Sequence, residues 1–246
     1  MRLLLVITIT LLYETVRGQS FGSFVAQYAP ILNSNEWFHL PLVAYISTSN
    51  IWHHPKTPGK APTLALRRAD DSDFTILILR SPQGRVFKTY CDSAPSPFSE
   101  EIYSGDFNGD SIPDFMVVKP GSGCGLAAEY CTGIFAFSEG TDYRFTRIRT
   151  MGLGPHNLVL RRQDKTLRLI HTTFRSGKAK DGRYHSFWVH RFFEWNGVAF
   201  RQDDTRQPVW IQYLYRANRV PTRLLTPMLK ASIWAEDKEA DPGIEW

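Results

Sequence analysis

The sequence predicts an all-β fold: a propeller-like array of short four-stranded antiparallel sheets, small or incomplete, with one C-terminal helix. Three observations point there. Aromatic residues make up 13% of a chain that also holds 17 Gly and 15 Pro, a composition suited to strands and tight turns. Three segments repeat an apolar strand, a turn glycine and a second strand bearing an aromatic residue. An acidic, glycine-centred run at 106–114 passes straight into the apolar stretch Phe115-Met116-Val117-Val118. The same patterning would fill the two inner faces of a β-sandwich, which is the alternative fold.

In chain order, residues 1–18 predict a secretory signal peptide. Arg2 gives the positive start, residues 3–12 the short apolar core, and Val16 and Gly18 suit cleavage after position 18. Residues 19–246 are expected to form a single β-rich domain, and no later stretch reaches the roughly 20 apolar residues of a membrane-spanning helix. Residues 24–32 predict a short helix broken at Pro30, residues 42–46 a strand, and residues 47–61, which include His53, His54, Pro55 and Pro58, a loop.

The repeats follow. Thr75-Ile76-Leu77-Ile78-Leu79 precedes Gly84 and Phe87, Gly133-Ile134-Phe135-Ala136-Phe137 precedes Gly140 and Phe145, and Arg191-Phe192-Phe193-Glu194-Trp195 precedes Gly197 and Phe200. The turn glycines recur at intervals of roughly 56 residues, a length that suits a blade of four short strands. The units are placed at about 60–90, 101–148 and 157–203, with strands at 42–46 and 209–215 expected to pair the chain ends into a missing blade. Residues 226–240 predict the helix, with Thr226 as N-cap, Pro227 in the first turn, and Met228, Leu229, Ile233 and Trp234 on its buried face.

A formal charge of +5 spread in short groups such as Arg67-Arg68, Arg161-Arg162 and Lys178-Ala179-Lys180 is too diffuse for nucleic-acid binding. Three cysteines in an exported chain suggest one disulfide. Cys124 and Cys131, close in sequence after the 115–118 strand, are the preferred pair, though a bridge to Cys91 stays open.

Asp106-Phe107-Asn108-Gly109-Asp110-Ser111-Ile112-Pro113-Asp114 sets side-chain oxygens at alternate positions around a glycine turn, an arrangement suited to a hard cation such as Ca²⁺. An EF-hand would need Glu at the twelfth position and a following helix; here that position is Val117, within a strand. A metal-free Asx turn, with the carboxylates capping loop amides, is the competing reading. Residues 101–148 resemble the calcium-loop repeat of the FG-GAP or VCBS type, the blade unit of integrin α-subunit propellers. The resemblance implies Asp106, Asn108, Asp110 and Asp114 as side-chain ligands, the Ile112 carbonyl as a backbone ligand, and calcium as a structural ion. The other two units lack this ligand set.

Other patterns carry less. His185 and His190 fall on opposite faces of a strand, Glu100 and Glu101 cannot flank one bond, and Gly121-Ser122-Gly123-Cys124-Gly125 lacks the spacing of a nucleophile elbow. Phe187, Trp188, Phe192, Phe193 and Trp195 are expected in the core. The function that follows is a secreted, extracellular or periplasmic, calcium-stabilised module binding a protein or glycan, with no integral membrane segment after cleavage. A secreted hydrolase or lyase acting on polysaccharide or lipid is the alternative.

Overall fold

In a computed structural model of the chain, the described residues are 37–48, 51–68, 75–92, 101–120, 130–214, 222–234 and 244–245. The predicted signal peptide, the helix at 24–32, Cys124 and Glu100 lie outside them. Strands account for 58% and helix for 6%, and one sheet curls into a half-barrel beside smaller antiparallel sheets.

The sheets are successive four-stranded meanders with extra edge strands. In the first, β4 (Ile51–His53), β5 (Thr63–Arg68), β6 (Thr75–Arg80) and β7 (Val86–Asp92) pair in order, with β3 (Ile46–Thr48) beside β4. The second runs β8 (Glu101–Gly105), β9 (Asp114–Pro120), β10 (Tyr130–Glu139) and β11 (Asp142–Met151). A 3₁₀ turn at Pro155–Asn157 leads into the third: β12 (Leu158–Arg161), β13 (Leu167–Lys178), β14 (Tyr184–Trp195), then β16 (Val209–Tyr213) and β17 (Thr222–Leu225). The short β15 (Phe200–Gln202) pairs with the far end of β14. Helix α1 (Pro227–Ile233) follows, and β18 (Ile244–Glu245) closes on β11.

The middle sheet is buried on both faces, which explains why β9 and β10 read as unbroken apolar runs without alternation. Met116, Val118, Phe135 and Phe137 face the third sheet through Leu158, Leu169, Phe193, Trp195 and Phe200. Phe115, Val117, Ile134 and Ala136 face the first through Trp52, Leu64, Leu77 and Leu79. The Phe137 and Trp195 rings stack with centroids 3.6 Å apart and planes 7° apart. In the same core, Gly133 leaves room for Leu153, because a Cβ there would run into its side chain. Phe187, Trp188, Phe192, Phe193 and Trp195 are all buried, as expected.

Among the described residues, the strands expected at 42–46 and 209–215 do not combine into a fourth blade. The strand expected at 209–215 is β16, an inner member of the third sheet between β14 and β17. The N-terminal segment instead threads all three sheets: β1 (Trp37–His39) pairs with β12, β2 (Val43–Ala44) with β8, and β3 with β4. The backbone amides of Leu40 and Tyr45 extend the contact, donating to the carbonyls of Leu158 and Ile102. Each sheet thus receives a strand beside the first strand of its meander, which spares that edge. The expected loop at 47–61 contains β4, whose Trp52 side chain is buried in the interface and so draws the backbone into pairing.

Helix α1 starts where predicted, with Thr226 Oγ1 accepting from the Leu229 amide, but ends at Ile233. Leu229, Ile233 and Trp234 pack on Phe187, Val189, Trp210 and Leu225. Met228, expected on that face, is 82% exposed: with the helix seated through Leu229 and Ile233, the first turn points it at solvent.

Candidate functional site: the acidic loop of the middle sheet

The loop joining β8 to β9 turns because Gly109 and Ser111 both adopt left-handed backbone, with φ of 82° and 66°. Glycine takes that conformation without penalty, whereas Ser111 is held there by its neighbours. The Asp106 carboxylate supplies the hold, accepting from the Gly109 amide at 2.7 Å and the Ser111 amide at 3.1 Å. Asn108 Oδ1 accepts from the Asp110 amide, and Asp110 Oδ1 from the Ile112 amide at 2.7 Å. These bonds are the Asx-turn pattern read from the sequence as the metal-free alternative. Asp106, Asn108 and Asp110 nonetheless remain exposed, and Asp106 and Asp110 form no ion pair among the described residues.

Asp114 behaves differently. It is fully buried, with Oδ2 accepting from the Phe107 and Asn108 amides at 2.6 and 3.1 Å and Oδ1 from the Ser138 amide at 2.6 Å. Burial pushes its pKa up to about 6, against the opposing pull of those amides. Asp114 is therefore a clasp joining both ends of the loop to the end of β10.

Side chains distant in sequence complete the network. Ser138 Oγ donates to Asp110 Oδ2 at 2.6 Å, and Asn108 Nδ2 donates to the Ser138 carbonyl at 2.9 Å. The Tyr143 hydroxyl donates to the Pro113 carbonyl, and burial raises the Tyr143 pKa. Phe107 plugs the loop into the core, edge-on to Phe135 and Phe137. Ser138 and Tyr143 went unnoticed in the sequence because only strand register brings them beside a loop some 30 residues earlier. The one available signal was that Ser138 ends an apolar strand before a glycine turn.

As a cation site the loop is a partial fit. Each Asp106 oxygen accepts one amide and so keeps a lone pair open to solvent, whereas Asp114 spends both oxygens on buried amides. Among the described residues, no group of three His, Cys, Asp or Glu side chains converges as a metal cage. Cys131 lies on β10, half-buried against the core, and its expected bridge to Cys124 falls on residues outside those described.

The remaining sequence candidates are structural. His54 Nδ1 accepts from the Lys56 and Thr57 amides and caps a turn. His190 is buried against Thr172 Oγ1, and burial lowers its pKa to about 3. His185, on the opposite strand face, lies between Asp181 and Gln212. The Glu101 carboxylate accepts from the Tyr103 hydroxyl.

No protein-family model, curated protein or solved structure matches this chain. The reading of the site therefore rests on its own geometry. Among the described residues, no helix is long and apolar enough to cross a membrane.

Proposed function

We propose that the protein is a secreted, calcium-stabilised, propeller-like module that binds an extracellular or periplasmic protein or glycan. The observation that carries the calcium reading is the cluster of exposed oxygens on Asp106, Asn108 and Asp110, which no cationic side chain among the described residues neutralises. Like charges within one short loop repel, and a dication removes that cost. Asp106, Asn108, Asp110 and the Ile112 carbonyl would hold the ion; Asp114, the remaining ligand implied by the resemblance, spends both oxygens on buried amides and would brace the loop instead. Bound Ca²⁺ would supply charge neutralisation and stiffen the turn. The binding role is supported by the scaffold: a loop anchored by Phe107 and Asp114 between packed sheets is pre-ordered, and pre-ordered surfaces lose little entropy on association.

Calorimetric titration of chelator-treated protein tests the calcium reading. Heat on adding Ca²⁺, a raised melting temperature and loss of both in Asp106→Asn with Asp110→Asn are expected. No heat and no shift in melting temperature would leave the loop as a self-satisfied Asx network.

A further inference from the structure

Beyond the acidic loop, the β13–β14 hairpin ends in a surface whose two faces are treated unequally. One face is braced. Trp234 lies so close to Gly177 that a Cβ there would meet its ring at 2.8 Å, and the Lys180 amide donates to the Ile233 carbonyl at 2.9 Å. A polar chain also runs along that face: Asp181 contacts His185 Nε2 at 2.8 Å, Gln212 contacts His185 Nδ1 at 2.8 Å, and Arg223 donates to Gln212 Oε1 at 2.6 Å.

The other face is bare. Lys178 pairs across the hairpin with Tyr184, and the next row is Ser176, Ser186, Tyr213 and Thr222 on four neighbouring strands. Residues directly opposite one another share a face. Tyr184 is 79% exposed, Lys178, Ser176 and Thr222 are exposed, and Ser186 and Tyr213 are half-buried. Four strands span about 14 Å, the length of a few sugar rings. Lys178 forms no ion pair among the described residues, and at the turn exposed Arg183 has only the solvent-exposed Asp181 carboxylate as a nearby charge.

We propose that this strip binds an anionic polysaccharide carrying uronate or sulfate groups, with Tyr184 and Tyr213 stacking on sugar rings, the hydroxyls of Ser176, Ser186 and Thr222 meeting sugar hydroxyls, and Lys178 and Arg183 pairing with the acid groups. This deepens the binding-module reading and rests on it. Exposed tyrosines give rigid, amphipathic contact area at low entropic cost. The row of hydroxyls argues for sugar over an acyl chain, and two cations are too few for the dense phosphates of nucleic acid.

The test titrates the full chain with a heparin oligosaccharide, with neutral dextran, oligo-dT and phosphatidylserine vesicles run in parallel. Binding to heparin alone is expected, weakened about tenfold by Tyr184→Ala and abolished near physiological salt by Lys178→Glu with Arg183→Glu, with unchanged melting temperatures. Heparin binding that survives these substitutions would overturn the assigned surface and leave the module reading standing. Absence of heparin binding, or tighter Tyr184-dependent binding of oligo-dT or vesicles, would overturn the ligand class. The calcium titration tests the calcium part of the parent reading separately.

Discussion

Acidification should destabilise this protein through one buried and one half-buried imidazole. Burial lowers the pKa of His156 to about 4 and of His190 to about 3, against 6.5 in an unfolded chain. The unfolded chain therefore takes up protons that the native state refuses, so their contribution is fully present above about pH 6.5 and is lost as pH falls toward 4. Between pH 7 and pH 5 each imidazole withdraws about 2 kcal/mol. Asp114 works in the opposite sense, its native pKa of about 6 standing above the unfolded value of 3.8, so its contribution is present at low pH and lost as pH rises through 6. Over the same interval it returns about 1 kcal/mol. The net loss of about 3 kcal/mol is a large share of the 5–15 kcal/mol typical of a folded domain. At this chain length it corresponds to a melting temperature lower by roughly 6–12 °C at pH 5 than at pH 7. Circular-dichroism melts across pH 4.5–7.5 measure it, with His156→Gln flattening the slope by about one proton. A melting temperature that holds or rises between pH 6.5 and 5 would refute the assignment of these histidines as neutral in the native state.

Phe137→Ala removes the ring stacked on Trp195 between the middle and third sheets and should cost about 3–5 kcal/mol. Urea unfolding followed by tryptophan emission checks it, and the transition should stay single because both sheets share that core. Gly133→Ala should cost about 1–3 kcal/mol by overpacking against Leu153, with partial recovery in the Gly133→Ala, Leu153→Ala double variant. Asp114→Ala strips the acceptors from three amides and should destabilise by several times the roughly 1 kcal/mol expected for Thr226→Ala, which removes the cap of α1. Paired chemical denaturation curves rank the two, and equal effects would count against the clasp.

Much of the strand content was legible because burial leaves a direct trace. The runs at 115–118 and 134–137 are apolar throughout because they are covered on both sides, and the turn glycines mark hairpins. The N-terminal thread was not legible: short strands such as Val43–Ala44 carry little pattern, and their partners lie far along the chain. The acidic loop announced its turn, since Asx capping is written in adjacent residues, but the fate of Asp114 depended on Ser138, placed by register alone. The bare strip at the β13–β14 tip hid for the same reason. Lys178 and Tyr184 become neighbours only once the hairpin is paired, and which face stays open depends on where Trp234 docks.

The thread at residues 37–48 also imposes an order on synthesis. As the chain emerges, β3 can pair at once with the adjacent β4, β2 must wait for β8, and β1 must wait until Leu158–Arg161 has been made. Contacts between distant residues form slowly, since the intervening chain must first be organised. The segment thus fastens backwards, from residue 48 toward residue 37, and the first of these residues to leave the ribosome are the last to be seated. Until then the leading edge of the third sheet stands open to other nascent chains.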